Sequence, residues 1–249
     1  MDDSNLFDSA VLTARLQSYS PNDRHPPHAH DRASIGMLLG GSLLERVGRT
    51  THQGALGAVI IKPPGVMHEN IFGNAGTMIL SLAGTHVERL AERKWEWRRA
   101  DRALAHAAAS IRHARAGRSL ACEEELYLLL SELGGMAHAG GSNVRAPAWL
   151  GEVVSLAERQ SAPMRISDIA DQVGVHPVHL TRVFRKHFGQ SLRAYIRRIK
   201  VTSAAELLRS SNQSVCDVAA ELDFFDQSHL CRAFKAECGI SPSEYRSLI

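Results

Sequence analysis

The chain has 249 residues, of which 44% are apolar and 22% charged. That is enough chain for one or two domains with real cores, and the composition excludes wholesale disorder. No stretch approaches the ~18 consecutive apolar residues of a membrane helix, and four cysteines without a CxxC pair exclude a disulfide framework and fit a reducing, cytoplasmic setting.

The opening, Met1-Asp2-Asp3-Ser4, has no basic or apolar leader region, so no signal peptide is expected. Residues 9–83 are rich in Gly, Pro and His. Short apolar runs (Ile35–Leu39, Ala58–Ile61, Met78–Leu82) alternate with turn signals at Gly40-Gly41, Gly54, Pro63-Pro64-Gly65 and Gly73–Gly76. Short strands at that spacing predict a sandwich or small barrel. Within this region His28-Ala29-His30 reads as a strand that turns both imidazoles to one face.

The texture changes near residue 86. Residues 87–137 are rich in Ala, Leu, Glu and Arg, which predicts two antiparallel helices over about 87–115 and 120–133, with the tryptophans Trp95 and Trp97 packing helices. Residues 134–143 are Gly-rich and nearly uncharged, as a flexible linker is. We place the barrel at 1–83, a helical dimerisation segment at 84–138, the linker at 139–147 and a helical domain at 148–249, an α+β chain of two domains.

From residue 148 onward the punctuation is helical. Ser167 is expected to cap one helix and Gly174 to end it. Pro177 opens the next and Gly189 closes it. Ser191 caps a helix over 192–210, Ser214 and Asp217 make a capping box, and Ser241-Pro242-Ser243-Glu244 opens the last helix. Two helix–turn–helix units repeat at about 50 residues. Each has a small residue in its first helix (Ala170, Ala219). Each then carries a Leu-x-Arg-x-Phe-Arg/Lys run, from Leu180 to Arg185 and from Leu230 to Lys235. Residues 161–200 hold eight basic and two acidic residues, net +6, and residues 201–249 four basic and seven acidic, net −3. A local basic segment suits a polyanion, although a solvated helix face has the same composition. The faces split cleanly. Leu180, Val183 and Phe184 are candidate core. Val178, His179, Thr181, Arg182, Arg185 and Lys186 in the first unit are candidate DNA contacts, with Arg197 on the connecting helix. Gln227, Ser228, Cys231, Arg232 and Lys235 are their counterparts in the second. Arg and Gln can read guanine and adenine edges bidentately. The acidic second half makes the first unit the expected main reader. The cysteines read as helix-core residues, except that Cys231 on a recognition helix has room to be exposed.

Residues 148–249 resemble the C-terminal DNA-binding domain of the AraC/XylS family of transcription regulators. The likeness is densest over Asp226–Lys235 and Gly239–Arg246. It departs at Asp223, where a turn glycine is usual, at His176, where a capping serine is usual, and at Lys200, where arginine is usual. The resemblance implies promoter DNA as partner, a small effector, a homodimer, and RNA polymerase as a further partner, with no enzymatic activity. The N-terminal His28-x-His30, followed by Gly57, Pro63, Gly65 and His68, resembles the two halves of the cupin motif. That likeness implies that His28, His30 and His68 line an effector site and offers them as ligands for a divalent metal, with no cofactor otherwise expected. The motif glutamate is missing, since Ser34 and Ile35 stand near its place. His25 and His52 are possible extra ligands. Two alternatives stand beside the effector-controlled regulator: a metal-sensing regulator, and a metal-dependent cupin enzyme fused to a helical domain.

Overall fold

The computed structural model describes residues 2–91, 95–100, 102–135, 147–159, 166–188 and 190–248. The chain opens with strands β1 (Asp2–Asp8), β2 (Thr13–Tyr19), β3 (Arg24–His28), β4 (Ser34–Val47), β5 (Thr50–Gly54), β6 (Ala58–Lys62) and β7 (His68–Ala83). After helix α1 (Thr85–Ala91) comes a last strand, β8 (Glu96–Arg99). They form one eight-stranded antiparallel sheet in the order β1-β2-β7-β4-β6-β8, with β3 on β7 and β5 on β4.

The two long strands curl this sheet into a barrel. The far end of β7 (Thr77–Ala83) pairs with β2 and with Ser34–Gly41 of β4, while its start (His68–Phe72) pairs with β3 and with Leu43–Val47 of β4. Register shifts at Leu38/Gly40 and Gly41/Leu43 bend β4 between those halves. Gly41 at the bend has φ +75°, and a Cβ there would lie 1.9 Å from the carbonyl oxygen of Gly76, so no other residue fits. Period-two alternation then sorts β4. Ile35, Met37 and Leu39 join the core outside the barrel, and Leu38 and Leu43 join the interior cluster with Ile60, Phe72 and Ile79.

Helices α2 (Ala103–Arg115) and α3 (Ser119–Gly135) pack antiparallel on the outer sheet face through Ala107, Ile111, Leu126 and Leu129. The sequence-predicted helix over 87–115 is interrupted by β8, which pairs with β6 from Ala58↔Arg99 to Ile61↔Glu96. Four strand residues set among helix formers leave too short a period-two signal to read, and pairing decides the conformation. The predicted linker falls largely on residues outside those described.

Seven helices follow: α4 (Ala148–Arg159), α5 (Ile166–Gln172), α6 (Pro177–Phe188), α7 (Leu192–Ser210), α8 (Val215–Glu221), α9 (Gln227–Cys238) and α10 (Pro242–Leu248). Their starts follow the sequence signals. The Ser191 side chain accepts from Ala194 N–H, Ser214 and Asp217 form a reciprocal box, and Ser241 and Glu244 form another. Ser167 is the exception. It lies inside the first turn of α5, and its hydroxyl donates to the Asp168 carboxylate instead of capping. Gly189 lies outside the described residues.

The apolar core does not divide at the linker. One continuous cluster joins the outer face of the barrel, α2 and α3 to Val201, Ala205 and Leu208 of α7 and to α8, α9 and α10. A second, smaller cluster holds Leu150, Val153, Ile169, Ala170, Leu180, Phe184 and Leu192, so α4–α6 and the start of α7 have a core of their own. Polar bonds close the seam beneath α7 and α10. Gly41 N–H donates to Glu206 Oε1 at 2.5 Å, Arg209 donates to Ala75 O, and the Tyr245 hydroxyl donates to Leu39 O at 2.7 Å.

Candidate functional sites

The barrel encloses a cavity of about 720 Å³, lined by His25, His28, His30, Lys62, Asn70 and Phe72 among others. The cupin-motif histidines converge at its mouth. His28 ends β3, His68 opens β7 opposite it in register, and His30 follows in the loop, not on the strand that the sequence suggested. One ring nitrogen or more from each lies within 4.8 Å of the others. Nδ1 of His28 donates to Pro26 O at 2.7 Å and Nδ1 of His68 to Val66 O at 3.1 Å. A carbonyl only accepts, so these bonds fix the tautomer and leave both Nε2 atoms as acceptors. His25 instead stacks edge-on to Tyr19 and Phe72, and His52 lies against Trp97.

Behind the histidines sits an ion pair that sequence reading missed. Glu45 of β4 is fully buried, and Lys62 of β6 nearly so. Lys62 Nζ is 2.8 Å from Glu45 Oε1, and the Asn70 amide, with its nitrogen turned inward, donates to the same oxygen at 3.0 Å. The indoles of Trp95 and Trp97 both donate to Oε2, at 2.9 and 2.8 Å. The tryptophans therefore serve the barrel and not a helix pair. A carboxylate holding four donors is well satisfied despite complete burial. The missed signal is a charge that closes an apolar run in each of two strands, Leu43-Leu44-Glu45 and Ile60-Ile61-Lys62.

Lys62 also reaches His68 Nε2, at 3.5 Å. Burial, reinforced by this ammonium, pulls the His68 pKa down to about 4, and burial then Lys62 lower that of His30. Near neutral pH the buried His68 is uncharged. Three imidazoles with two Nδ1 atoms anchored on carbonyls are a reasonable donor set for a zinc-like ion. The fit is contested by Lys62, which holds the lone pair of His68 and adds a positive charge, and by Glu45, whose oxygens are both engaged.

The second surface lies on the helical domain. Val178, His179, Arg182, Arg185 and Lys186 of α6 are exposed, and Leu180 and Phe184 are buried, with Val183 partly buried beside them. Thr181 is half-buried and donates to Val178 O at 3.1 Å. On α9, Gln227, Ser228, Arg232 and Lys235 are exposed and Cys231 is half-buried. Arg197 of α7 is exposed and pairs with Glu237 of α9 at 2.9 Å. Lys200 donates to the carbonyls of Leu222 and Asp223, bracing the second turn. Asp223 takes φ +53° there, as its place in the turn required. The cysteines divide, with Cys122 and Cys238 buried as expected and Cys216 exposed against the expectation of a core position.

Residues 12–130 match the model of the AraC-like ligand binding domain, and residues 169–247 match that of a helix-turn-helix domain. Among curated relatives, the HTH-type transcriptional activator AarP of Providencia stuartii is 43% identical over 33% of this chain and 62% of its own length. The multiple antibiotic resistance protein MarA of Salmonella typhimurium is 34% identical over 34% of this chain and 67% of its own. The chain spans between 28% and 62% of the first relatives it matches. Among solved structures, ToxT of Vibrio cholerae aligns over 96% of this chain and 99% of its own, at 10% identity and a TM-score of 0.39.

The buried pair generates a test. Glu45→Gln keeps the shape and leaves the Lys62 ammonium buried without its counter-charge, which costs about 3–5 kcal/mol. The expected result is a large drop in the urea midpoint, mostly recovered by adding Lys62→Met. An unchanged midpoint in Glu45→Gln would show that Lys62 does not depend on this carboxylate.

Proposed function

This chain belongs to the AraC family of transcription regulators, and we propose that it binds promoter DNA through both helix–turn–helix units, controlled by a small effector held in the barrel. The carrying observation is the pair of helices α6 and α9. Each buries its Leu and Phe and presents Arg182, Arg185 and Lys186, or Gln227, Arg232 and Lys235, to solvent. Early side chains of such helices meet base edges in the major groove, and the basic ones meet phosphates. The 720 Å³ cavity, part apolar and part polar, is of a size for a small organic molecule. In this reading the chain catalyses nothing and works in the cytoplasm beside RNA polymerase.

The first unit carries more of the base reading, because the turn before α9 is flanked by the exposed acids Glu221, Asp223 and Asp226. Arg182→Ala should weaken binding to a duplex selected by this protein from a random pool by roughly 1–3 kcal/mol. Arg232→Ala should weaken it less, and the wild-type affinity should fall steeply with salt, with a log–log slope of about −3 or beyond. A flat salt response sinks the DNA reading. A larger loss in Arg232→Ala sinks only the ranking of the two units.

Metal sensing is the second reading, favoured by the three histidines within 4.8 Å. Lys62 weighs against it. Mass spectrometry of untagged wild-type protein incubated with Zn(II) should find less than one equivalent, and Lys62→Met, which frees His68 Nε2, should bind at least about tenfold more tightly. One full equivalent in the wild type, lost in His28→Ala, would move metal sensing to first place.

A homodimer through the helical segment is supported by Leu120 (83% exposed) and Leu128 (43% exposed), two turns apart on the outer face of α3. Leu120→Glu with Leu128→Glu should sediment as a monomer where the wild type sediments as a dimer. Two identical sedimentation profiles would remove this face from the reading.

A further inference from the structure

The turn of the second helix–turn–helix unit is one residue longer than that of the first, and the added residue is an exposed phenylalanine. Up to a point their turns are the same. Gly174 N–H bonds Asp171 O and Asp223 N–H bonds Ala220 O, both at 3.2 Å. Val175 N–H bonds Ala170 O and Phe224 N–H bonds Ala219 O, both at 2.9 Å. Gly174 and Asp223 both have positive φ, +68° and +53°. In the first unit the next residue, His176, is already the cap of α6, where its carbonyl accepts from Leu180 N–H. In the second, the cap is Asp226, whose carbonyl accepts from Leu230 N–H. Phe225 is the extra residue between turn and cap.

Its side chain is 92% exposed, the most exposed large apolar group among the described residues. Burying such a ring is worth about 1.5–3 kcal/mol, none of which the fold collects here. Nor is the ring on a loose tip. Phe224 before it is buried against the His229 ring at 5.3 Å, Phe225 N–H donates to His229 Nδ1 at 3.4 Å, and the Asp226 carboxylate accepts from His229 N–H at 2.6 Å. The backbone on both sides is tied down, and the ring is presented two residues before Gln227, the first exposed polar side chain of α9.

We propose that Phe225 is a base-reading residue of the second unit, packing its ring on the 5-methyl group of a thymine at the edge of the major groove. The inference rests on the reading of α9 as a groove helix. If the start of α9 meets base edges, the residue just before its cap lies at the same groove edge. Aromatic contact with the thymine methyl is an established apolar mode of readout. The neighbouring carboxylates of Asp223 and Asp226 keep phosphate away from this turn, which leaves the base edge as the part of the duplex an apolar ring can meet. The second unit thus adds an aromatic reading element, where the first presents only the smaller apolar side chain of Val178.

The test uses the full chain and a duplex that it selects from a randomised pool. Phe225→Ala should lower affinity for that duplex by roughly five- to tenfold, with nonspecific affinity and the salt slope unchanged. Replacing thymines one at a time by uracil should find one position where loss of the methyl weakens the wild type and has no further effect on Phe225→Ala. Phe225→Leu should keep part of the affinity, and the 92% exposure of the side chain makes loss of folding an unexpected result that circular dichroism checks. Equal losses at every uracil position in variant and wild type would overturn the proposal. So would unchanged DNA affinity with altered transcription, which would assign Phe225 to a protein partner instead. If Arg182→Ala, Arg232→Ala and Phe225→Ala all bind like wild type, or no duplex is selected, the parent reading fails and this one with it.

Discussion

Strand β4 is the element on which both ends of the molecule depend. At its far end Glu45 points into the barrel, where four donors from β6, β7 and the β8 region converge on one carboxylate. At its middle, Leu39 and Gly41 face outward and bond to Tyr245 and Glu206 of the helical domain. One bent strand can do both because the irregular register between Leu38 and Leu43 turns its second half relative to its first. Gly40 is needed at the same place for a different reason. A Cβ there would stand 2.8 Å from the Tyr245 hydroxyl and 3.1 Å from Arg209 Cδ. The pocket and the seam are thus six residues or fewer apart along a strand whose flanking pairs leave it little independent freedom.

The electrostatics of the pocket follow from the same pair. Glu45 neutralises Lys62, and burial, reinforced by Lys62, keeps His68 uncharged near neutral pH, so that ring stands at the mouth of the barrel as a neutral imidazole. Without the carboxylate the ammonium would be an unpaired buried ion, and without the ammonium the three imidazoles would be an open nitrogen cluster. In the proposed reading, the choice between an organic effector and a metal ion turns on Lys62, a residue outside the histidine motif.

Much of this was legible in the sequence. The repeated Leu-x-Arg-x-Phe runs, the capping boxes at Ser214 and Ser241 and the His28-x-His30 pair carry their chemistry locally, in residues a few positions apart. The failures share the opposite property. β8 exists because β6 is beside it, and nothing within Trp95–Arg99 competes with the helical composition on either side. Glu45, Lys62 and the Trp95–Trp97 pair come from three places in the chain, and only the closure of the barrel brings them together. Arg197, a candidate phosphate contact, also pairs with Glu237 forty residues away, a partner that only the packing of α9 against α7 reveals. Phe225 was visible throughout, but its meaning required the two turns to be matched bond by bond.

The two helix–turn–helix units are mounted unequally. The second shares the large core with the barrel, through α7, α8, α9 and α10, and is fastened by Glu206, Arg209 and Tyr245. The first stands on a core of seven buried residues of its own. Small cores open at lower free energy than large shared ones. A ligand in the barrel can change DNA binding only by favouring one arrangement of the protein over another. The arrangement it can reach through direct packing is that of the second unit, whereas the first is connected to the barrel chiefly along α7. In the proposed reading both units meet one duplex, so their relative orientation is the quantity open to control. The second unit is held against the barrel, and the first, with its own small core and the larger share of base reading, is the one free to adjust.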